Sequence, residues 1–99
     1  MNLELIDSDL NRTFIIKEES LSKHFSKFEE ILINFVKEDS RDIIIDLSAV
    51  QKIDSMSLAT LLRIKKKLGD KDRSLNISNP NESVIRILEL AGLDSYLLD

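Results

Sequence analysis

DIIIDLSAVQKIDSMSLATLLRIKKK, residues 42–67, is the stretch that decides the fold of this chain. It begins with three consecutive isoleucines, Ile43 to Ile45, which do not alternate with polar residues as a strand with one solvated face would. We therefore expect a strand that is covered on both faces and lies in the middle of a parallel sheet. After a polar break the apolar residues return at helical spacing. They predict a helix with one broad apolar face, formed by Leu58, Leu61, Leu62, Ile64 and Leu68.

The start of this predicted helix is the most informative point in the sequence. Asp54 is a good N-cap residue, and the first turn carries two serines, Ser55 and Ser57. A strand that runs into a helix N-terminus brings unpaired backbone N–H groups and hydroxyls together at one edge of a domain. We expect the functional site at this edge.

The chain before this stretch predicts a hairpin and a helix. Two short apolar segments, Leu3 to Asp7 and Thr13 to Lys17, flank a polar patch of turn composition, which favours an N-terminal β-hairpin. From Ser20, a candidate N-cap, apolar residues recur at spacings of three and four. This pattern predicts a helix whose apolar face holds most of the aromatic side chains: Leu21, Phe25, Phe28, Leu32 and Phe35.

The chain after this stretch predicts one more strand and one more helix. Gly69 stands where a residue with positive φ would end the second helix, and Leu75 to Ser78 predicts a strand. Asn79-Pro80-Asn81-Glu82 predicts a helix start with Asn79 as the N-cap, and Gly92 ends that helix. Tyr96 to Leu98 closes the fold as a short strand or a packed tail. The buried stripe of the last helix is predicted to be Val84, Ile87, Leu88 and Ala91.

The predicted order of elements is β-β-α-β-α-β-α. Strands that alternate with helices of this length indicate an α/β fold with a mostly parallel sheet and packed helices. The length of 99 residues is that of one domain, and we assign residues 1–99 to it.

Composition excludes several classes of function. The net charge of −4 argues against a nucleic-acid partner, and the basic run from Lys65 to Lys67 is interpreted as the solvated side of a helix. The absence of cysteine excludes disulfides and cysteine-ligated metals. No signal peptide and no apolar run of membrane-spanning length is visible, so we expect a cytoplasmic protein without direct membrane insertion.

The sequence offers no catalytic constellation. His24 is the only histidine, and no cysteine accompanies it to form a metal site or a nucleophile pair. Asp42, Asp46 and Asp54 form a series of carboxylates along the predicted strand, but capping and solvation explain each of them separately. Two glycines in total exclude a phosphate-binding glycine-rich loop. We expect neither an enzyme nor a cofactor.

The serines after Asp54 have two explanations. In the first, Asp54 caps the helix and the hydroxyls of Ser55 and Ser57 satisfy unpaired N–H groups. In the second, one of these serines accepts a phosphoryl group, which the positive end of the helix dipole would stabilise. A phosphate at this point would place nearly two negative charges on a contact surface, enough to abolish a protein complex. Spacing alone leaves both explanations open.

The same stretch resembles the signature of STAS domains, the anti-sigma factor antagonist family. The resemblance lies in Ile43 to Val50, in Ile53-Asp54-Ser55 with Leu58, and in a closing helix that contains Ile87 to Leu93. It covers about two-thirds of the chain. It implies a STAS fold: a four- to five-stranded mixed, mostly parallel sheet with an N-terminal hairpin, packed by three to four helices. It also implies binding to a protein partner, with no catalysis, at a surface formed by Asp54, Ser55, Met56, Ser57 and Leu58.

The sequence departs from the family pattern at the switch. Met56 stands where sporulation-type antagonists carry the phosphorylated serine, and Ser57 stands where they carry glycine. In the stressosome members of the family the acceptor directly follows the aspartate, as Ser55 follows Asp54. Ser55 and Ser57 are therefore both phosphorylation candidates, and we favour Ser55.

The resemblance implies two functions. In the first, the chain is an antagonist that binds a serine kinase acting as an anti-sigma factor and is switched by serine phosphorylation. In the second, it is a STAS subunit of a stressosome or of an ABC-type lipid transporter and works as an unphosphorylated binding module, with an ATPase as partner in the transporter. A homodimer is compatible with either.

Overall fold

The computed structural model describes residues 1–98 and shows one four-stranded sheet in the order β1-β2-β3-β4. The strands are β1 Leu3–Asp7, β2 Asn11–Ile16, β3 Asp42–Asp46 and β4 Leu75–Ser78. The helices are α1 Phe25–Glu38, α2 Ser55–Gly69, α3 Glu82–Leu90 and α4 Asp94–Leu97, with a short 3-10 turn at Ser22–His24 before α1. Among residues 1–98, no helix has the length and apolarity needed to cross a bilayer.

The sheet has the predicted mixed topology. β1 pairs antiparallel with β2, which confirms the N-terminal hairpin, and β3 pairs parallel with both β2 and β4. The parallel strands therefore begin at one edge of the sheet and end at the other. We call these the amino edge and the carboxyl edge. The predicted α/β fold and the central position of β3 are confirmed.

The prediction that β3 is covered on both faces is wrong. Ile43 and Ile45 are fully buried, whereas Ile44 between them is only half-buried. Thr13 of β2 and Asn76 of β4 are the register partners of Ile44 and are also only half-buried. The buried residues of the strands and helices form one core cluster, so the sheet has one packed face and one partly open face. A run of isoleucines fits either arrangement, because β-branched side chains also suit a half-exposed strand.

Helix α1 supplies the aromatic part of the core. Phe28, Leu32 and Phe35 are buried, and the Phe35 ring meets that of Phe14 edge to face at 5.4 Å between centroids. The predicted N-cap role of Ser20 is wrong. Ser20 forms an isolated parallel bridge with Lys52, and α1 begins five residues later at Phe25.

The end of α2 and the start of α3 correct two predicted details. Gly69 is the last residue of α2 and lacks a positive φ; the left-handed residue is Asp72, with a φ of 57°. Asn81, not Asn79, caps α3 by accepting the Val84 N–H at 3.1 Å, while Asn79 takes a φ of 50° in the preceding turn. Gly92 has a φ of 72° and follows α3, as predicted.

The C-terminal end of the chain also differs from the predicted pattern. Ala91 is exposed because the helix ends before the predicted stripe is complete, and Ile87 is only half-buried. Tyr96 and Leu97 belong to the single turn α4, and Leu98 then forms a parallel bridge with Ile77 of β4. The end of the chain is therefore a packed tail that touches the sheet at one residue.

Three arginines surround Phe35 at the amino edge. The guanidinium carbons of Arg12, Arg41 and Arg73 lie 5.2, 5.8 and 5.9 Å from the centre of its ring. Arg41 donates to Asp39 through two nitrogens, at 2.9 and 2.8 Å. This cluster ties the hairpin, α1 and the start of β3 together.

Hydrogen bonding at the amino edge lowers carboxylate pKa values. The side chain of Arg41 holds the pKa of Asp39 well below its usual range, and the side chain of Arg12 lowers that of Asp7. Groups whose pKa is lower in the folded state stabilise the fold above their unfolded pKa of about 4. That stabilisation is lost as the pH falls through the folded values.

We predict that the free energy of unfolding falls as the pH is lowered from 4 towards 2, and that Asp39→Asn makes this fall shallower. Urea titrations followed by circular dichroism at several pH values measure the slope. Asp9→Asn is the control, because within residues 1–98 the Asp9 carboxylate has no hydrogen-bond or ion-pair partner. Equal slopes for wild type and Asp39→Asn would contradict the assigned role of the Arg41–Asp39 pair.

Candidate functional site

Two loops meet at the carboxyl edge of the sheet. The backbone N–H groups of Gln51 and Lys52, in the loop between β3 and α2, both donate to the carbonyl of Glu19, at 2.8 and 3.1 Å. The parallel bridge between Ser20 and Lys52 extends this contact. The start of α2 is thereby held beside the segment that leads into α1.

Asp46 fixes the beginning of the loop between β3 and α2. Its Oδ1 accepts from the backbone N–H and the hydroxyl of Ser48, at 2.9 and 2.6 Å, and its Oδ2 accepts from Asn79 Nδ2 at 3.0 Å. Burial raises the pKa of Asp46, but hydrogen bonds from Ser48 and Asn79 outweigh it and keep the pKa below its usual value. The side chain therefore joins two loops at the carboxyl edge.

Asp54 is the N-cap of α2, as predicted. Its backbone is extended, with φ −100° and ψ 173°, and its Oδ1 accepts the backbone N–H of Ser57 at 2.8 Å. This backbone hydrogen bond lowers the pKa of Asp54, so the carboxylate is charged at neutral pH. The charge faces the positive end of the helix dipole.

The three carboxylates of the predicted series are divided between the two edges of the sheet. Asp42 lies at the amino edge and accepts the Ser74 N–H at 2.9 Å, whereas Asp46 ends β3 at the opposite edge and Asp54 caps α2. In the part of the chain that the structure describes, no group of three or more histidine or acidic side chains could hold a metal ion.

The first turn of α2 separates the two candidate serines. Ser55 is exposed, whereas Ser57 is only 1% exposed and its hydroxyl makes no hydrogen bond of normal geometry among residues 1–98. The hydroxyl nevertheless adds to the effect of the backbone hydrogen bond in lowering the pKa of Asp54. Met56 is 62% exposed, and Leu58 is half-buried against the core. Of the five residues expected at a partner surface, Asp54, Ser55 and Met56 form the exposed part.

A groove of about 400 Å³ runs beside this turn. Asp54 and Met56 line one side, and the 3-10 turn with the first residues of α1 lines the other: Ser22, Lys23, His24, Phe25, Ser26 and Lys27. We call these residues together with Ser55 the α2-start surface. Lys23 and Lys27 are not among the site residues predicted from the sequence. A signal was present, because cations near a helix N-terminus oppose the helix dipole and are unusual there.

The start of α2 is also tied to the body of α1. The hydroxyl of Thr60 lies 3.0 Å from the carbonyl oxygen of Met56 and 3.3 Å from Glu29 Oε2. Arg63 donates to the same Glu29 oxygen at 2.5 Å. Thr60 is buried, so these contacts lock the helix one turn beyond the exposed residues.

Comparison with known proteins identifies the family. The family model described as STAS domain matches residues 3–98. The chain belongs to the STAS family. It is similar to a Thermotoga maritima protein named putative anti-sigma factor antagonist, with 35% identity over 60 residues. That match covers 61% of this chain and spans only about half of the relative, 53% of its length.

Solved structures show the same STAS fold. The crystal structure of a Thermotoga maritima protein of the same name has a TM-score of 0.84 and 25% identity, and the match covers 97% of this chain and 83% of that one. The anti-sigma factor antagonist SpoIIAA of Bacillus, in its unphosphorylated form, has a TM-score of 0.84 and 15% identity over 99% of this chain and 87% of its own. The STAS fold implied by the sequence is confirmed, and the protein is related to anti-sigma factor antagonists.

The buried hydroxyl of Ser57 in the first turn of α2 can be tested by substitution. A buried hydroxyl that makes no hydrogen bond of normal geometry costs free energy, so Ser57→Ala should raise the free energy of unfolding by about 1 kcal/mol. Ser55→Ala, at an exposed position, should change it by less than about 0.5 kcal/mol. Chemical denaturation measures both variants. A Ser57→Ala variant that is less stable than wild type would show that the hydroxyl has a stabilising partner.

Proposed function

We propose that this STAS protein is an anti-sigma factor antagonist that binds a serine kinase acting as an anti-sigma factor, and that phosphorylation of Ser55 ends the complex. The observation that carries the proposal is the contrast within the first turn of α2. The three consecutive residues Asp54, Ser55 and Met56 are exposed, whereas Ser57 is buried. The relationship to anti-sigma factor antagonists supplies the class of partner. Such a partner acts in the cytoplasm of a bacterium, so we place this protein in the same compartment. We also propose that it works as a single domain.

Ser55 is the proposed acceptor because a kinase can reach its hydroxyl without opening the fold. It is the first residue of a 15-residue helix, so a phosphate there lies at the positive end of the helix dipole. Ser57 would have to leave the core first, and its N–H would have to release Asp54. Among the two serines, accessibility favours Ser55.

Met56 is proposed as the apolar contact of the complex. A methionine side chain contributes about 1.5 to 3 kcal/mol when a partner buries it completely, and it adapts to irregular surfaces. Phosphorylation next to it would bring nearly two negative charges against a dry contact and beside the carboxylate of Asp54. Repulsion and desolvation would then act on the same patch, so one modification is enough to end the complex.

The test is the affinity of the protein for the anti-sigma kinase of its own host, measured by isothermal titration calorimetry. Ser55→Glu and Met56→Asp should each weaken binding by about tenfold or more, because each puts charge into the contact. Ser83→Glu is a matched control, since Ser83 is also exposed in the first turn of a capped helix, α3. Its affinity should stay at the wild-type value.

Incubation of the protein with the kinase and ATP identifies the residue that accepts the phosphate, independently of the residues that bind the kinase. Ser55→Ala should remain unmodified, while Ser57→Ala should take up one phosphate. Binding that is indifferent to both Ser55→Glu and Met56→Asp would contradict the proposal and favour a constitutive binding module. Phosphate on Ser55→Ala would contradict the assigned acceptor.

A further inference from the structure

A second groove lies at the opposite end of the helices, near the C-termini of α1 and α2. It has a volume of about 420 Å³ and is lined by Ile33, Val36, Lys37, Lys67, Asp70 and Lys71. We call it the basic groove. Its three lysines have no ion-pair partner within residues 1–98, in a chain whose net charge is −4. Of its two apolar lining residues, Ile33 is half-buried and Val36 is buried. Lysines at helix C-termini complement the helix dipole, but the dipole does not explain why they surround the accessible part of Ile33.

The tip of the N-terminal hairpin has the complementary chemistry. Leu10 is 77% exposed and follows Asp9, whose carboxylate has no partner among the described residues. The turn is well ordered by hydrogen bonds. The Ser8 N–H donates to the Asn11 carbonyl at 2.9 Å, and the Ser8 hydroxyl accepts from the N–H groups of Leu10 and Asn11. An exposed leucine on a fixed turn loses little conformational entropy when it is buried by a partner.

The tip and the basic groove lie at the same end of the molecule. The N–H of Asp42, the first residue of β3, donates to the carbonyl of Leu10 at 3.0 Å, so the tip is at the amino edge. α1 ends at Glu38, just before β3, and α2 ends at Gly69, just before β4. The C-termini of both helices are therefore at the amino edge as well. Two features on one end of a chain can pair reciprocally with those of a second copy about a twofold axis.

We propose that the occupant of the basic groove is the hairpin tip of a second copy of this chain, in a symmetric dimer. Leu10 of each protomer covers the accessible part of Ile33 of its partner, and Asp9 lies among the three lysines, which outnumber the one carboxylate of the lining, that of Asp70. The contact is self-complementary and closes at two copies, so it does not grow into a filament. Each copy contributes a small apolar contact and a charged rim, which is typical of a weak dimer.

The dimer leaves the α2-start surface free. The 15 residues of α2 rise about 1.5 Å each, which separates Ser55 from the basic groove by roughly 20 Å. A dimer through the amino edge would hold two copies of the α2-start surface at its outer ends. This inference does not depend on the proposed kinase partner.

Sedimentation equilibrium of the full chain from 10 μM to 1 mM tests the proposal. Asp9→Lys and Lys67→Asp should each weaken dimerisation about tenfold or more, because each places like charges together at both contacts. An equimolar mixture of the two variants should recover wild-type affinity. In the mixed dimer, the substituted tip meets the substituted groove and the native tip meets the native groove. Leu10→Ser should weaken dimerisation to a similar extent.

Each control variant changes the net charge by the same amount as a test variant, but at a position outside the proposed contact. Glu89→Lys lies on exposed α3, and Lys66→Asp lies on α2 outside the groove lining; both should dimerise like wild type. Thermal unfolding verifies that every variant is folded. A wild-type chain that stays monomeric at 1 mM overturns the proposal and leaves the groove to an acidic segment of another protein or to an anionic membrane. The proposal is also overturned if neither Asp9→Lys nor Lys67→Asp weakens dimerisation, or if the equimolar mixture of the two variants does not regain the wild-type dimer affinity.

Discussion

Parallel pairing of β3 with both of its neighbours is the constraint on which the rest of this structure depends. Because β2 and β3 are parallel, the segment after β2 and the loop after β3 leave the sheet at the same carboxyl edge. Glu19 can then accept two backbone hydrogen bonds from the other loop, and Asp46 can reach Asn79 from the loop after β4. The same topology returns α1 and α2 to the amino edge. Parallel pairing thus places the start of α2 at the carboxyl edge and the C-termini of α1 and α2 at the amino edge, so the two edges carry different side chains.

Much of this arrangement could be predicted from residues 42–67 alone. A continuous isoleucine strand followed by a helical period indicated a central strand and its helix, and Asp54 was correctly identified as the cap. Predictions failed where two local solutions compete. Asn79 and Asn81 are both good N-caps, and Asn81 takes that role because Asn79 adopts the left-handed turn that precedes the helix. Gly69 was assigned a left-handed turn that Asp72 provides, since aspartate also tolerates positive φ.

The candidate site shows the same division between local and long-range information. Ser57 is predicted at the partner surface but is buried. The signal for its inward position lies in its spacing of three, four and seven from Thr60, Leu61 and Ile64. The groove beside Met56 was not readable. It depends on the bridge between Ser20 and Lys52, which joins residues 32 positions apart and leaves no local pattern. Tertiary pairing, not propensity, brings Lys23 and Lys27 to the start of α2.

The central claim is that the first turn of α2 presents one modifiable hydroxyl, that of Ser55, to a partner. The most direct measurement is peptide mapping across residues 53–63, after intact-mass analysis of the protein purified from its own host under several growth conditions. The account predicts a fraction that carries one phosphate, located on Ser55. Phosphate located on Ser57, or an unmodified chain under every condition, would contradict it.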